Sequence, residues 1–235
     1  TLSIYEGSSL FFHYNTGLWV FGNLEVNGTF EKPVLMRADR LDKALSSDPF
    51  PYNLLPGQWG GIYLFSKTGR HIINHLHLNS GVQGIYFSNN DLNSNPYLEI
   101  NNSKIHNSLA YGLVAVNGDL RVTNSEITNS GSYTVYLNGG KHEFYHCTIA
   151  NHFSENDVNW LISAGRDSAP AVMVMDLNKA QAMETIFKNC IISGTSSYEF
   201  TLASKFRHKF NADIQHTYIK RLKPDSLQVF QHIRW

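Results

Sequence analysis

Apolar and polar residues alternate along this chain in a pattern that recurs about every 22 residues. In the two best copies, LEINNSKIHNS and LRVTNSEITNS, apolar, Asn and Ser residues stand at the same places. The copies begin at Leu98, Leu120, His142 and Thr185, with weaker ones at His71 and Ala212. Because a repeat of this length can bury its apolar face only by stacking on its neighbours, the period predicts a solenoid.

Each copy contains two short stretches of alternation separated by one extra residue, which predicts two strands that meet at a tight corner. The corner residues are His75, Asn102, Asn124, His146, Asn189 and His216. Asn tolerates the left-handed backbone of such a corner, and its amide can bond to the same residue one coil away. A third strand follows in GIYF from Gly84, GLVAV from Gly112 and TVYL from Thr134. Three short strands per coil predict an all-β fold, a right-handed parallel β-helix.

Two long segments, residues 37–58 and 152–170, interrupt the period just before a strand of the third type. Long loops of a solenoid gather on one side, so we expect both to overhang the third sheet. The prediction is one β-helix domain over residues 1–235 with these two insertions. Since Thr1 enters an alternating strand directly and no capping helix precedes it, we expect the chain to be part of a longer exported protein.

Composition narrows the classes of partner. The 235 residues are 42% hydrophobic, enough for a continuous core, and the 19 basic residues balance the 19 acidic ones. This balance does not favour nucleic acid or an anionic membrane surface. No apolar run approaches the roughly 18 residues that cross a bilayer, so we expect no transmembrane segment.

The third strands predict an aromatic outer surface. If Ile62, Ile85 and Val135 point inward, alternation turns their neighbours outward. The outward candidates for glycan binding are Tyr63, Phe65, Tyr86 and Tyr136. Flat aromatic rings suit the apolar C–H faces of sugars, whose hydroxyls form hydrogen bonds at the edge. Aromatic ladders also stabilise neighbouring strands, so a packing role remains open.

An enzyme would take its acids from the two long segments. The candidate catalytic residues are Asp39, Asp42, Asp157, Asp167 and, as a base, Arg166. A polysaccharide hydrolase needs clustered carboxylates, and a lyase needs calcium-binding acids with an Arg or Lys base. Apart from calcium in a lyase, we expect no cofactor. The alternative is that these are solvated loops with local salt bridges.

Two further motifs are explained by the repeat. HEFYH, from His142 to His146, matches the zinc-protease pattern, which needs a helix to bring both imidazoles onto one face. Both His occupy strand and corner positions, so we predict no metal site. Cys147 and Cys190 occupy the same slot in adjacent coils, and we expect two buried, reduced thiols.

The coils, the Asn corner and the stretches LEVNGTFEKPVLM and LPGQWGGIYL resemble parallel β-helix proteins of the pectate-lyase-like superfamily, most of all exported members from Bacteroidetes bacteria. The resemblance implies a secreted or outer cell-surface location and a link to glycans. The family's hydrolase motifs, a paired-Asp strand and a Gly-His-Gly turn, are absent from the sequence, so no catalytic residue carries over. The sequence favours a non-catalytic glycan-binding module; the alternatives are a polysaccharide lyase or hydrolase and a structural segment of an adhesin.

Overall fold

The computed structural model describes residues 1–42, 51–153, 169–176, 183–204, 210–221 and 230–231. These residues form a right-handed parallel β-helix, as the repeat predicts, in which each complete coil contributes one strand to each of three parallel sheets. The only helix in the described ranges is one 3₁₀ turn, Tyr52–Leu54. It is far too short to cross a membrane, and no described helix reaches that length with the necessary apolar character.

The three sheets run along the solenoid side by side. The first sheet comprises β1 (Leu2–Tyr5), β4 (Leu24–Asn27), β7 (Arg70–Asn74), β10 (Tyr97–Asn101), β13 (Asp119–Thr123), β16 (Gly140–Tyr145), β19 (Met183–Lys188), β22 (Phe210–Gln215) and β24 (Phe230–Gln231). The second comprises β2 (Ser9–Phe12), β5 (Val34–Ala38), β8 (Leu76–Asn79), β11 (Lys104–Ser108), β14 (Glu126–Ser130), β17 (Thr148–Asn151), β20 (Ile191–Gly194) and β23 (Tyr218–Ile219). The third comprises β3 (Leu18–Val20), β6 (Ile62–Leu64), β9 (Ile85–Ser88), β12 (Leu113–Val116), β15 (Val135–Asn138), β18 (Val172–Asp176) and β21 (Phe200–Ser204).

The core follows from strand alternation repeated in register. Leu98 pairs with Leu120 and Ile100 pairs with Val122 across β10 and β13, and all four side chains are buried. In later coils the same arrangement stacks larger residues, such as the Phe144 and Phe187 rings, which lie 4.6 Å apart and nearly parallel. Since every coil buries its inward residues against the coils on either side, the core is a continuous column along the axis.

The predicted corners are confirmed. All six corner residues adopt the left-handed conformation, with φ between 48° and 55°. The hydrogen bonding between coils differs from the expectation, because the side chains of Asn102 and Asn124 are exposed. The hydrogen bond between side-chain amides of neighbouring coils forms one residue before the corner, where Asn101 Nδ2 donates to Asn74 Oδ1 at 3.1 Å. The left-handed turn directs the corner side chain outward and leaves its predecessor facing the equivalent residue of the next coil.

A small polar residue follows five of the six corners and bonds the coils together, whereas Leu76 follows the corner at His75. The Ser103 backbone N–H donates to Ser125 Oγ at 3.0 Å, and Ser125 Oγ donates to the Thr123 carbonyl at 2.8 Å. Further along, the Cys190 N–H donates to Thr217 Oγ1 at 3.3 Å. This position therefore takes Ser, Cys or Thr because the side chain must accept one hydrogen bond and donate another inside the core.

The two cysteines belong to this ladder, in adjacent coils as predicted. Each is 2% exposed, and each thiol donates to a backbone carbonyl two residues earlier, at 3.3 Å. Both are free thiols in the structure. The hydrogen bond with the neighbouring Cys147 sulfur, together with burial, raises the pKa of Cys190, which keeps that group protonated.

The first insertion begins later than predicted, because β5 runs to Ala38 and so includes Arg37 in its pairing with β2. Its described end is fixed at the corner between the second and third sheets. There the Gln58 N–H donates to the Ser80 carbonyl at 2.8 Å, and the buried Trp59 ring stacks on Phe12 at 4.2 Å. Residues 43–50 and 154–168 lie outside the described residues, so the expected overhang of both loops stays a prediction, as does the single domain.

Candidate functional site

The outer surface of the third sheet carries one residue per coil in strict register. From β3 to β18 these residues are Trp19, Tyr63, Tyr86, Val114, Tyr136 and Met173. The alternate residues, such as Ile62, Ile85 and Val135, are fully buried. Alternation therefore directs Tyr63, Tyr86 and Tyr136 outward, as the sequence predicts.

Aromatic rings from these strands and from residues directly before or after them form an aromatic row that consists of two groups of contacting rings. Its eight rings are Phe21, Trp19, Phe65, Tyr63, Tyr86, Tyr111, Tyr136 and Tyr133. Centroids of contacting rings lie 4.2 to 6.2 Å apart. Val114, between Tyr86 and Tyr136 in register, is 3% exposed, so it separates the two groups of rings and adds almost no accessible surface.

The two halves of the aromatic row pack differently. Trp19 and Tyr63 stack face to face at 4.2 Å with planes 9° apart, which leaves the tryptophan 57% exposed on its other side. In the tyrosine half, the ring of Tyr136 is inclined by 54° to Tyr111 and by 28° to Tyr133. Inclined rings offer parts of their faces as well as their edges to a ligand, whereas stacked rings offer mainly edges.

Most tyrosine hydroxyls in the aromatic row are available. Tyr63 donates to the Gly60 carbonyl at 3.1 Å. Within the described residues, no hydrogen bond engages the hydroxyls of Tyr86, Tyr111, Tyr133 or Tyr136. Burial, with a smaller effect of neighbouring tyrosines, raises the pKa of Tyr63 and Tyr136 further above physiological pH, where a tyrosine hydroxyl is neutral in any case. The row therefore combines apolar rings with neutral groups that both donate and accept hydrogen bonds.

A groove of about 180 Å³ adjoins the Trp19 end of the aromatic row. Tyr14, Asn15 and the Trp19 and Tyr63 rings line it, together with backbone of Gly17 and Gly60. A side chain at Gly60 would approach the Thr16 carbonyl to 2.8 Å, so glycine there permits the first coil to pack closely beside the groove. In the part of the chain that the structure describes, the Trp19 indole N–H has no acceptor. The groove therefore offers aromatic walls and a free donor.

The outer surface of the first sheet has the opposite chemistry. Ion pairs join Arg70 to Glu99 at 3.8 Å, Lys141 to Glu143 at 3.0 Å and Lys188 to Asp213 at 3.0 Å. The Tyr97 hydroxyl donates to Glu99 at 3.1 Å, and burial and that carboxylate raise the pKa of Tyr97 to about 12. These charges neutralise one another within a strand or across neighbouring strands, so the outer surface of the first sheet is salt-bridged.

A second groove, of about 340 Å³, follows the corner between the first and second sheets. The exposed corner side chains Asn102, Asn124 and His146 line it, with Lys104 and Glu126 in register beside them. Its lining contains no Phe, Tyr or Trp ring and combines the basic Lys104 with the acidic Glu126. This groove is the solvent-exposed outer side of the corners in successive coils, and its polar side chains do not converge on one point.

The described acids of the first insertion are paired locally. Asp39 accepts a hydrogen bond from His13 Nδ1 at 2.8 Å, and Asp42 forms an ion pair with Arg40 at 3.0 Å. The hydrogen bond from Arg40 lowers the pKa of Asp42, which favours an ionised carboxylate over a general acid. The candidates Asp157, Arg166 and Asp167 lie outside the described residues, so a catalytic role for the set stays untested.

The zinc-protease pattern lies in a strand and its corner. His142 is buried in β16 and His146 is exposed at the corner, so the two imidazoles point to different sides of the chain. Across the described ranges, no three His, Cys, Asp or Glu side chains converge in a group that could hold a metal ion.

Four residues of the aromatic row escaped the sequence argument: Phe21 directly follows the first strand of the third sheet, and the other three escaped for different reasons. Trp19 occupies the outward position of the first coil, where the repeat is faint. Tyr111 and Tyr133 precede their strands and so fall outside the alternation, although their spacing equals one repeat.

Comparison of the chain with protein-family models, curated proteins and solved structures finds no match.

Proposed function

We propose that this protein is a non-catalytic β-helix module that binds glycans through the aromatic row on its third sheet. The observation that carries the proposal is the row itself, eight rings in two contacting groups, with four tyrosine hydroxyls that no described residue engages. A sugar presents apolar C–H faces to aromatic rings and hydroxyls to neighbouring donors and acceptors, which matches this combination. The aromatic row is also larger than the scattered apolar residues normal for a protein surface.

The resemblance to the pectate-lyase-like superfamily supports the same proposal. Members of that superfamily act at glycans outside the cell, so we propose a secreted or outer cell-surface location for this chain. The shared features are the coils and corners that build the fold, and a fold by itself specifies no activity. The proposal therefore depends on the surface chemistry of the third sheet.

A glycan array, combined with a reducing-end release assay on the polysaccharides that bind, tests the proposal. We expect binding without release. Release of reducing ends would identify a hydrolase or lyase instead, and calcium dependence of that release would favour the lyase. If the protein neither binds a glycan nor releases reducing ends, the proposal is contradicted and the structural adhesin segment is favoured.

Substitution of rings locates the binding surface. Trp19→Ala and Tyr136→Ala remove rings from opposite halves of the aromatic row, and each should weaken binding about tenfold, which corresponds to about 1.4 kcal/mol. The matched control is Phe30→Ala, because Phe30 is 84% exposed and lies outside the row. Equal affinity of all three variants and wild type would place binding elsewhere on the molecule.

A further inference from the structure

The aromatic row lies on strands whose outward residues are uncharged. Along β3, β6, β9, β12, β15 and the described part of β18, no outward position holds an acidic or basic residue. These positions are Trp19, Phe21, Tyr63, Phe65, Tyr86, Ser88, Val114, Val116, Tyr136, Asn138, Met173 and Met175. The groove beside Trp19 is likewise lined without a charged side chain. The chain's formal charges cancel, yet the ion pairs of the first sheet show that they are distributed unevenly over the surface.

A ligand's charge would be costly on this surface. A carboxylate or sulfate held against the rings loses water, and the outward positions of the third sheet offer no cation in exchange. Neutral hydroxyls lose water too, but the free tyrosine hydroxyls replace those hydrogen bonds. The Tyr136 hydroxyl, whose pKa burial raises further above physiological pH, is neutral and able to donate, whereas the Tyr63 hydroxyl already donates to the Gly60 carbonyl.

The direction of the aromatic row follows from the fold. The register from Trp19 to Tyr136 passes through five coils, and coils about 4.8 Å apart give a length of about 19 Å. The row therefore runs along the solenoid axis and is several sugar rings long. The groove at the Trp19 end adds a concave site at one end of this line.

Resting on the function proposed above, we infer that the ligand is an uncharged glycan chain laid along the solenoid axis, with no carboxylate, sulfate or phosphate on the sugars that contact the aromatic row. One terminal ring occupies the groove between Tyr14 and Trp19, where the indole N–H donates to a sugar oxygen. The following sugars lie over the tyrosine half of the row.

Matched pairs of ligands test this inference. Oligosaccharides of gluco-, manno- and galacto-configuration are each compared with the uronate made by oxidising the same chain at C6, by titration calorimetry at low and high salt. For the backbone that binds, we expect the neutral form to bind at least about tenfold more tightly than its uronate. Its affinity should change little with salt, since charged contacts are screened and neutral ones are not.

Each outcome decides something different. Uronate binding equal to or tighter than neutral binding, or a strong loss of affinity at high salt, would overturn the uncharged ligand and leave glycan binding intact. If the protein binds neither the neutral nor the uronate oligosaccharides, and none of the arrayed glycans, the proposed function and this inference are both overturned. Longer neutral chains should bind more tightly than disaccharides; equal affinity would overturn the axial arrangement.

A variant with an added cation tests the surface independently. Val116 is an outward, half-buried residue of β12, in register with Ser88 and Asn138. Val116→Lys should raise affinity for the uronate about tenfold at low salt and lose that gain at high salt. Val116→Gln is the control of similar length and should bring no such gain. An unchanged uronate affinity in Val116→Lys would mean that the glycan does not lie on this surface.

Discussion

At the scale of single residues, the inward position after five of the six corners joins one coil to the next. Ser103 and Ser125 fill it in two coils, and each hydroxyl accepts a backbone N–H from the coil before and donates to a carbonyl of its own coil. The corner's left-handed backbone is what turns this side chain toward the core. Asn or His at the corner, followed by Ser, Cys or Thr, is therefore one structural unit.

Two histidine side chains are buried in the apolar core of the solenoid, where a charged imidazole would be unfavourable. His71 and His142 occupy inward positions of the first sheet, in register with Leu98 and Leu120. Burial lowers the pKa of His71 to about 4 and that of His142 to about 3. Both are therefore neutral in the folded protein at pH values where an unfolded chain binds protons.

Stability should consequently fall in acid. Between the unfolded pKa near 6.5 and the native value, the unfolded chain holds one more proton per buried His, so lowering the pH costs up to about 1.4 kcal/mol per unit for each. His142→Leu removes one such group and places in β16 the residue found at this position in β13. The stability of this variant relative to wild type should be constant above pH 7 and grow steadily from pH 6 to 4, as measured by urea unfolding.

A second substitution separates titration from packing. Thr185 fills the equivalent position in β19, so His142→Thr also removes the imidazole but leaves a smaller side chain. Both variants should show the same pH dependence relative to wild type, whatever their stability at pH 7. A difference that stays constant from pH 4 to 8 would mean that His142 is not held neutral in the core.

At the scale of elements, alternation defines two surfaces of each third-sheet strand, and the outer one combines packing with binding. Trp19 and Tyr63 illustrate packing, because their faces cover each other and Tyr63 also bonds to the Gly60 carbonyl. Tyr136 illustrates the other role, since its hydroxyl contacts no described acceptor. The same residue type therefore has different consequences in β6 and β15.

Removal of single hydroxyls distinguishes the two roles. Tyr136→Phe should leave the free energy of unfolding within about 0.5 kcal/mol of wild type and weaken glycan binding. Tyr63→Phe loses an internal hydrogen bond and should cost about 0.5 to 1.5 kcal/mol of stability, as urea unfolding would show. A stability loss for Tyr136→Phe as large as for Tyr63→Phe, with unchanged affinity, would assign the tyrosine half of the aromatic row to packing alone.

The strands themselves are predictable from sequence where the repeat is strong. β10, β13 and β16 follow directly from the copies at Leu98, Leu120 and His142, because stacking forces equivalent residues into register. The outward aromatic positions follow from the same alternation. Tyr111 and Tyr133 do not, since a corner residue's direction depends on its backbone turn and has no period of two.

At the scale of the whole molecule, the sheets differ in the charge of their outer surfaces, and the overall composition does not show this difference. Ion pairs cover the first sheet's outer surface, whereas the described outer surface of the third sheet is aromatic and uncharged. A net charge of zero conceals this division, because only the register shows that Glu99, Arg121 and Glu143 are neighbours. The sequence therefore predicts the fold and part of the candidate site, while the distribution of charge emerges from the assembled coils.

This separation makes a footprinting experiment decisive. Hydroxyl-radical oxidation of the protein, with and without a saturating neutral glycan, reports which aromatic side chains the ligand covers. We expect oxidation to slow at Trp19, Tyr86 and Tyr136 and to remain unchanged at Tyr97 of the first sheet and at Phe30. Protection of Tyr97 instead, or bound glycan with no protection along the aromatic row, would contradict the assignment of glycan binding to the third sheet.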